Sequence, residues 1–122
     1  MCYLLSLPYP PSTNNYWRIA GSRMYIGKAG TAFKKEVHQI CMLERVRPIN
    51  GDIAISILLH PRMNKDGSAS KLRIDLDNCL KATNDSLNGV AYNDDKQITN
   101  ITVKLGVPWE GGGMTVLVKQ DV

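Results

Sequence analysis

The sequence predicts an α+β fold, in which two helices pack against a small mixed sheet of about four strands. Apolar residues that alternate with other residues, such as Ile53, Ile55, Ile57 and Leu59, predict strands with one buried face. Apolar residues at helical spacing predict a helix from about Lys28 to Val46. The resulting order, β-α-β-α-β-β, favours a two-layer sandwich of short helices on a sheet.

The first half of the chain contains two strong element signals. The apolar run Cys2–Leu7 predicts a strand that ends before the prolines at 8, 10 and 11. A polar segment, 12–23, follows. Met24-Tyr25-Ile26 is predicted to form a short hairpin arm with Tyr16-Trp17-Arg18. The helix that comes next should end before Pro48. Its buried stripe is predicted to contain Ala29, Phe33, Val37, Ile40, Cys41 and Val46.

The second half alternates between strands, a loop and a shorter helix. The strand at 53–59 leads into a mobile loop, 61–70, that is rich in Asn, Gly and Ser. A helix is predicted over 76–87, and Asn88-Gly89 stops it. Two final strands follow, with alternating Ile101, Val103 and Leu105, then Met114, Val116 and Val118 after three glycines.

Length and composition predict a single domain spanning residues 1–122. Three cysteines are an odd number, so we expect small core residues rather than a disulfide framework or a zinc site. No apolar run approaches a membrane helix, and no signal peptide is recognisable, so a cytoplasmic protein is expected. The net charge of +4 leans towards an acidic partner, although five acidic residues cluster between positions 75 and 95.

That acidic cluster is the part of the sequence that best fits catalytic chemistry. Asp75 and Asp77 are one residue apart, so in extended chain their side chains would point to the same side. Asp77 is expected to precede the helix, and Lys81 would share its helix face four residues later. The turn at Asp94-Asp95 could return beside them. Hard oxygen ligands without His or Cys favour Mg²⁺, or Mn²⁺, over zinc.

The spacing alone leaves a simpler interpretation open. An aspartate just before a helix usually caps it, and an Asp-x-Asp pair occurs in many unrelated proteins. Asp85 lies on the same helix face but two turns on, where a solvated side chain is expected. His38 and His60 are expected at the surface or the core edge, and Tyr92 in packing.

Three segments together resemble the RusA family of Holliday junction resolvases. They read L-P-Y-P-P-S-T-N-N-Y-W-R near the start, R-I-D-L-D-N-C-L-K in the middle and Y-N-D-D-K-Q-I later. They occur in the family's order and at about its spacing, so the resemblance covers nearly the whole chain. It implies a homodimeric, Mg²⁺-dependent endonuclease that cuts four-way DNA junctions.

The resemblance also assigns roles to individual residues. By motif, Asp75, Asp77 and Asp95 would bind the metal and Lys81 would be the catalytic lysine. Asp94 would be an outer residue or would cap its turn. The loop from Met63 to Ser70 has fewer arginines than in some members of the family. We expect DNA contacts from polar and basic residues, although the first four fit an ordinary surface loop equally well: Asn14, Tyr16, Arg18, Arg23, Lys71, Arg73 and Lys96.

Two other functions remain open at this point. A nuclease with a broader substrate specificity would cut flaps or replication forks, and the sequence does not distinguish it from a resolvase. A DNA-binding module without catalysis is disfavoured, because a binder gains nothing from three clustered negative charges near phosphates. No membrane partner is expected.

Overall fold

A computed structural model of the chain has a main sheet of four strands, a separate hairpin and two long helices. The structure describes the side chains of residues 1–12 and 15–122. The strands are β1 (Cys2–Leu7), β2 (Trp17–Ala20), β3 (Arg23–Ile26), β4 (Ile53–His60), β5 (Ile98–Leu105) and β6 (Gly113–Gln120). The helices are α1 (Thr13–Tyr16), α2 (Lys28–Leu43) and α3 (Leu76–Leu87), with a 3₁₀ turn at Asp95–Gln97.

The main sheet is mixed, with the strand order β1-β6-β4-β5. β6 pairs antiparallel with both β1 and β4, whereas β4 and β5 run parallel. Parallel neighbours need a crossover connection, and α3 lies within it. The prediction of an α+β fold with two helices and about four sheet strands is therefore confirmed.

The core lies between the sheet and the two long helices. Every second side chain of β4 points into it, and Ile53, Ile55, Ile57 and Leu59 are all buried. Met114, Val116 and Val118 of β6 extend the same layer. Burying one such side chain stabilises the fold by roughly 1.5–3 kcal/mol. The alternation thus identified the inner face of β4 and β6 correctly, whereas in the edge strand β5 Ile101 and Leu105 are exposed.

α2 differs from its prediction in two respects. It ends at Leu43 rather than near Val46, because Arg45 adopts a left-handed conformation, with φ of 56°, that stops the helix before Pro48. Its buried residues are Gly30, Phe33, Val37 and Cys41, while Ala29 is exposed. Gly30, rather than Ala29, faces the chain around Tyr16, which passes too close to α2 at this position for a methyl group.

The arm predicted between residues 16 and 26 is present as the β2–β3 hairpin. Trp17 pairs with Ile26 and Arg18 with Tyr25, and Gly21 turns the chain with a φ of 65°. Tyr16 belongs to α1 instead of the arm. Two apolar side chains of the arm, Ile19 and Met24, are mostly exposed to solvent.

Three smaller expectations are settled by burial and hydrogen bonding. Cys41 and Cys79 are buried as expected, but Cys2 is exposed because it lies on the outward-facing side of β1. His60 is buried at the end of β4, where its ring stacks on Trp109 with centroids 3.6 Å apart. The segment 61–70 is the expected loop, and Asn64 donates a hydrogen bond to Ser68 within it.

No helix in the described part of the chain is long and apolar enough to cross a membrane.

Candidate active site

α3 presents Asp77, Lys81 and Asp85 along one face while it buries the opposite one. Its buried residues include Cys79, Ala82 and Ser86. Side chains four residues apart lie one turn apart on the same face. Accordingly, Lys81 Nζ lies 3.3 Å from Asp77 Oδ2, and both side chains are exposed. The prediction that Lys81 shares the helix face of Asp77 is therefore confirmed, and the two side chains form an ion pair.

The prediction that Asp75 and Asp77 belong to an extended segment is wrong. α3 begins at Leu76, so Asp77 lies inside the first turn and Asp75 is the N-cap residue. A carboxylate in the first turn is stabilised by the positive end of the helix, which favours helix at Asp77. The Asp75 carboxylate makes no capping hydrogen bond, although its carbonyl oxygen accepts one from Cys79 N. Capping therefore does not occupy the Asp75 side chain.

The turn at residues 94–97 separates the roles of two adjacent aspartates. Asp94 caps the 3₁₀ turn, since its Oδ1 accepts a hydrogen bond from Lys96 N at 3.0 Å. Gln97 Oε1 accepts one from Asp94 N in return, while Gln97 Nε2 donates to Ile49 O at 2.7 Å. The expected capping by Asp94 is confirmed, and the turn is held against the body of the protein.

The two carboxyl groups also influence each other. Hydrogen bonding to Lys96 N holds the pKa of Asp94 below its usual value. Hydrogen bonding with Asp94 raises the pKa of Asp95. Asp95 is exposed and is thus free to face a ligand.

A cavity of about 460 Å³ lies between α3, the arm and this turn. The side chains around it come from three separate segments of the chain: Trp17, Met24, Lys81, Asn84, Asp85, Asn88 and Asp95. Asp95 and Lys81 thus share one cavity, and the ion pair links Asp77 to it. Asp75 and Asp77 do not line the cavity themselves. Among the described residues, no three His, Cys, Asp or Glu side chains converge closely enough to hold a metal ion.

Asp85 is not the solvated residue that the sequence predicted. It accepts a hydrogen bond from the Tyr16 hydroxyl and pairs with Lys34 Nζ at 3.7 Å. These contacts tie α3 to α1 and α2 next to the cavity. A residue two turns from Asp77 was expected to face water, but α1 packs there.

Tyr16 is unavailable for the DNA contact expected of it. Its side chain is buried, and burial raises the pKa of its hydroxyl, which keeps it a hydrogen-bond donor. The expectation for Asn14 lies outside the described side chains. The other expected DNA contacts are exposed, which is compatible with their predicted role: Arg18, Arg23, Lys71, Arg73 and Lys96.

Tyr92 packs as expected. It is fully buried beneath the acidic turn, and its hydroxyl donates to Asn84 O at 3.1 Å. Burial, with smaller contributions from Asp95 and Asp85, raises its pKa. Tyr92 therefore supports the cavity from below rather than taking part in it.

Sequence reasoning missed four of the residues that line the cavity. Asn84 and Asn88 continue the Lys81 face at intervals of three and four residues, so helical spacing carried a signal for them. Trp17 and Met24 carried none. They reach the cavity only because the arm folds over α3.

Comparison with known proteins connects this geometry to a family. The family model described as endodeoxyribonuclease RusA matches residues 8–119. A protein named crossover junction endodeoxyribonuclease rusA, from Enterobacteria phage HK97, is 38% identical over 119 residues, which cover 97% of this chain and 94% of that protein. Proteins of the same name from Shigella sonnei and Escherichia coli are 28% and 27% identical over the same shares.

Proposed function

Because the chain belongs to the RusA family of endodeoxyribonucleases, we propose that it is itself a crossover junction endonuclease, which cuts four-way DNA junctions. The observation that carries this proposal is the extent of the likeness. It runs through the arm, both long helices and the main sheet rather than through one shared motif. Since DNA is the substrate, the protein would act in the bacterial cytoplasm.

We further propose that Asp75, Asp77 and Asp95 bind Mg²⁺. The donor set fits this ion in type, because all three are carboxylates, and their exposure leaves room for the water ligands that Mg²⁺ retains. Since the three do not converge in the described residues, binding requires the Asp77 carboxylate to turn away from Lys81. Bound Mg²⁺ would neutralise phosphate charge and favour attack by water.

Lys81 has a role that needs no rearrangement of the backbone. Its ammonium group pairs with Asp77, and Lys81 lines the cavity that Asp95 also lines. There it would stabilise the negative charge that develops on the phosphate as its bond to the leaving oxygen breaks. If Asp77 held Mg²⁺, its ion pair with Lys81 would be lost and the Lys81 ammonium group would be available to the substrate.

A synthetic four-way junction, incubated with and without Mg²⁺, tests the activity. Paired cuts that require Mg²⁺ are expected, and a flap and a plain duplex run beside the junction define the substrate. Equal cutting of the flap would indicate a nuclease for branched DNA in general. An intact junction in the presence of Mg²⁺ and Mn²⁺ would contradict the proposal.

Asp75→Asn and Asp77→Asn test the metal site. Each should abolish cleavage but preserve junction binding, because basic residues elsewhere provide the affinity. Asp52→Asn is the matched control, since Asp52 is exposed and lies outside the acidic cluster. Near wild-type cleavage by either site variant would refute the assignment.

A further inference from the structure

The arm separates two surfaces of opposite charge. Successive side chains of a strand point to opposite faces. Trp17 and Met24 lie on the face that lines the acidic cavity, whereas Arg18 and Tyr25 lie on the other. That second face meets the first turns of α2 in a groove of about 760 Å³.

The groove is basic, and none of its charges is neutralised. Arg18, Lys28 and Lys35 line it, and no acidic side chain among the described residues does. The described ion pairs are Lys34–Asp85 and Lys81–Asp77, so these three cations have no acidic partner. Glu36 lines a separate pocket instead.

Part of the groove is fixed in shape by close packing. A methyl group on Gly27 would lie 2.9 Å from Arg18 Cγ and 3.0 Å from Asn15 O, so the stem of Arg18 rests directly on the Gly27 backbone. Tyr25, which is half exposed, adds an aromatic face, and Ala29 and Ala32 form an apolar floor. The groove therefore presents positive charge beside a flat apolar surface.

Two lysines of the groove are spaced so that one DNA backbone could contact both. Seven residues are nearly two helical turns, so Lys28 and Lys35 share a face of α2 about 10 Å apart along its axis. Phosphates follow one another at roughly 3.4 Å along the axis for each DNA strand, so phosphates a few nucleotides apart span a similar distance. A short stretch of sugar–phosphate backbone therefore matches the spacing of the two lysines.

We propose that this groove binds the sugar–phosphate backbone of the duplex arm that flanks the cut strand. The inference rests on the proposed function, because it places the phosphate to be cut in the acidic cavity on the other side of the β2–β3 arm. A DNA strand that crosses the β2–β3 arm would pass from a basic surface, which provides affinity, to the acidic cavity, where the phosphate would be cut.

The test is the affinity for a four-way junction, measured without divalent metal so that the DNA stays intact. Lys28→Glu combined with Lys35→Glu should weaken binding by roughly tenfold or more, and the slope of log K against log salt should fall by about two. Lys104→Glu combined with Lys119→Glu is the matched control. It makes the same change in net charge on exposed residues of β5 and β6.

The control pair should change the affinity far less than the groove pair. Equal losses of affinity for the two pairs would overturn the proposal that the groove binds DNA, because they would reveal only the effect of total charge. Circular dichroism verifies the fold, and Lys28→Ala with Lys35→Ala replaces the groove pair if the glutamates perturb it. Wild-type protein that binds the junction but leaves it uncut after Mg²⁺ is added would refute the proposed activity, while the affinities measured without metal would still decide the groove.

Discussion

Asp94 and Asp95 are neighbours with the same functional group, yet their surroundings assign them different work. The Asp94 carboxylate is engaged in capping the turn, whereas Asp95 faces the cavity. A side chain that holds the backbone cannot easily also bind a ligand. Of the two, Asp95 is therefore the residue available to the metal.

Asp95→Asn should consequently abolish cleavage, while Asp94→Asn should keep measurable cleavage at a reduced rate. An asparagine at 94 retains an oxygen that can accept the hydrogen bond from Lys96 N. Both variants should be assayed on one junction across a Mg²⁺ titration. Active Asp95→Asn beside inactive Asp94→Asn would reverse the assignment.

Tyr16 holds the root of the arm through one hydrogen bond to Asp85. Tyr16→Phe should lower the free energy of unfolding by about 1 kcal/mol, because Asp85 is partly exposed and water can replace the lost donor. Urea denaturation measures the change. Tyr25→Phe is the control, since its ring is half exposed, and equal losses would show that the bond to Asp85 contributes nothing.

At the scale of elements, α2 depends on a glycine that helix propensity would disfavour. A methyl group at Gly30 would lie 2.5 Å from Tyr16 O and 2.8 Å from Ile26 Cγ1, so the arm root can approach α2 this closely only at a residue without a side chain. Replacing glycine by alanine within an exposed helix normally stabilises it by about 1 kcal/mol. At position 30 the steric clash opposes that gain.

Gly30→Ala is therefore expected to destabilise the protein by roughly 1–3 kcal/mol, as overpacking a core does. Thermal or urea unfolding decides the sign. Gln39→Ala, on the exposed side of the same helix, should be neutral or slightly stabilising. An increase in stability for Gly30→Ala would mean that the contact between the arm root and α2 is loose.

Helices and strands with a strong hydrophobic periodicity were predictable from the sequence, whereas the contacts between them were not. The alternation in β4 and β6 and the limits of α3 were confirmed, because each follows from local pattern and stop signals. α1 is a single turn, too short to show a period, so the burial of Tyr16 could not be read from its neighbours. Asp85 was misjudged for the same reason, since its partners come from α1 and α2.

The candidate site was predictable only as far as its motifs extend. The sequence predicted a site of Asp75, Asp77, Asp95 and Lys81. In the structure Lys81 pairs with Asp77 and lines one cavity with Asp95, whereas Asp75 and Asp77 do not line that cavity. The sequence did not identify the wall of the cavity that Trp17 and Met24 of the arm form. That wall depends on how the hairpin packs on α3, which no local pattern records.

At the scale of the whole molecule, a net charge of +4 conceals an uneven distribution. Asp85 and Asp95 line the cavity on one side of the arm. Basic residues that make no ion pair among the described side chains line the groove on the other side: Arg18, Lys28 and Lys35. Phosphates are attracted to the basic side and repelled by the acidic side unless a cation is bound there. Metal binding should therefore matter more for cleavage than for attachment to DNA.

Among the described residues, one cavity combines Lys81 with Asp95, but separating a four-way junction requires cuts in two opposed strands. The junction has approximate two-fold symmetry, and a two-fold dimer would present one site to each strand. We therefore expect a homodimer in solution, with twice the chain mass of 13.6 kDa. Sedimentation across a concentration series measures this directly.

Coupling of the two cuts gives the dimer a functional test. A plasmid that extrudes a cruciform becomes linear if both strands are cut within one encounter, and becomes a nicked circle if a single site acts alone. Linear product should predominate at protein concentrations where the dimer forms, because both sites then engage the same junction.

Mixing wild-type chains with inactive Asp77→Asn chains should shift the product towards nicked circles, since mixed dimers carry one working site. Linear product that persists in proportion to wild-type chains alone, or a monomer at all working concentrations, would contradict the paired-site arrangement.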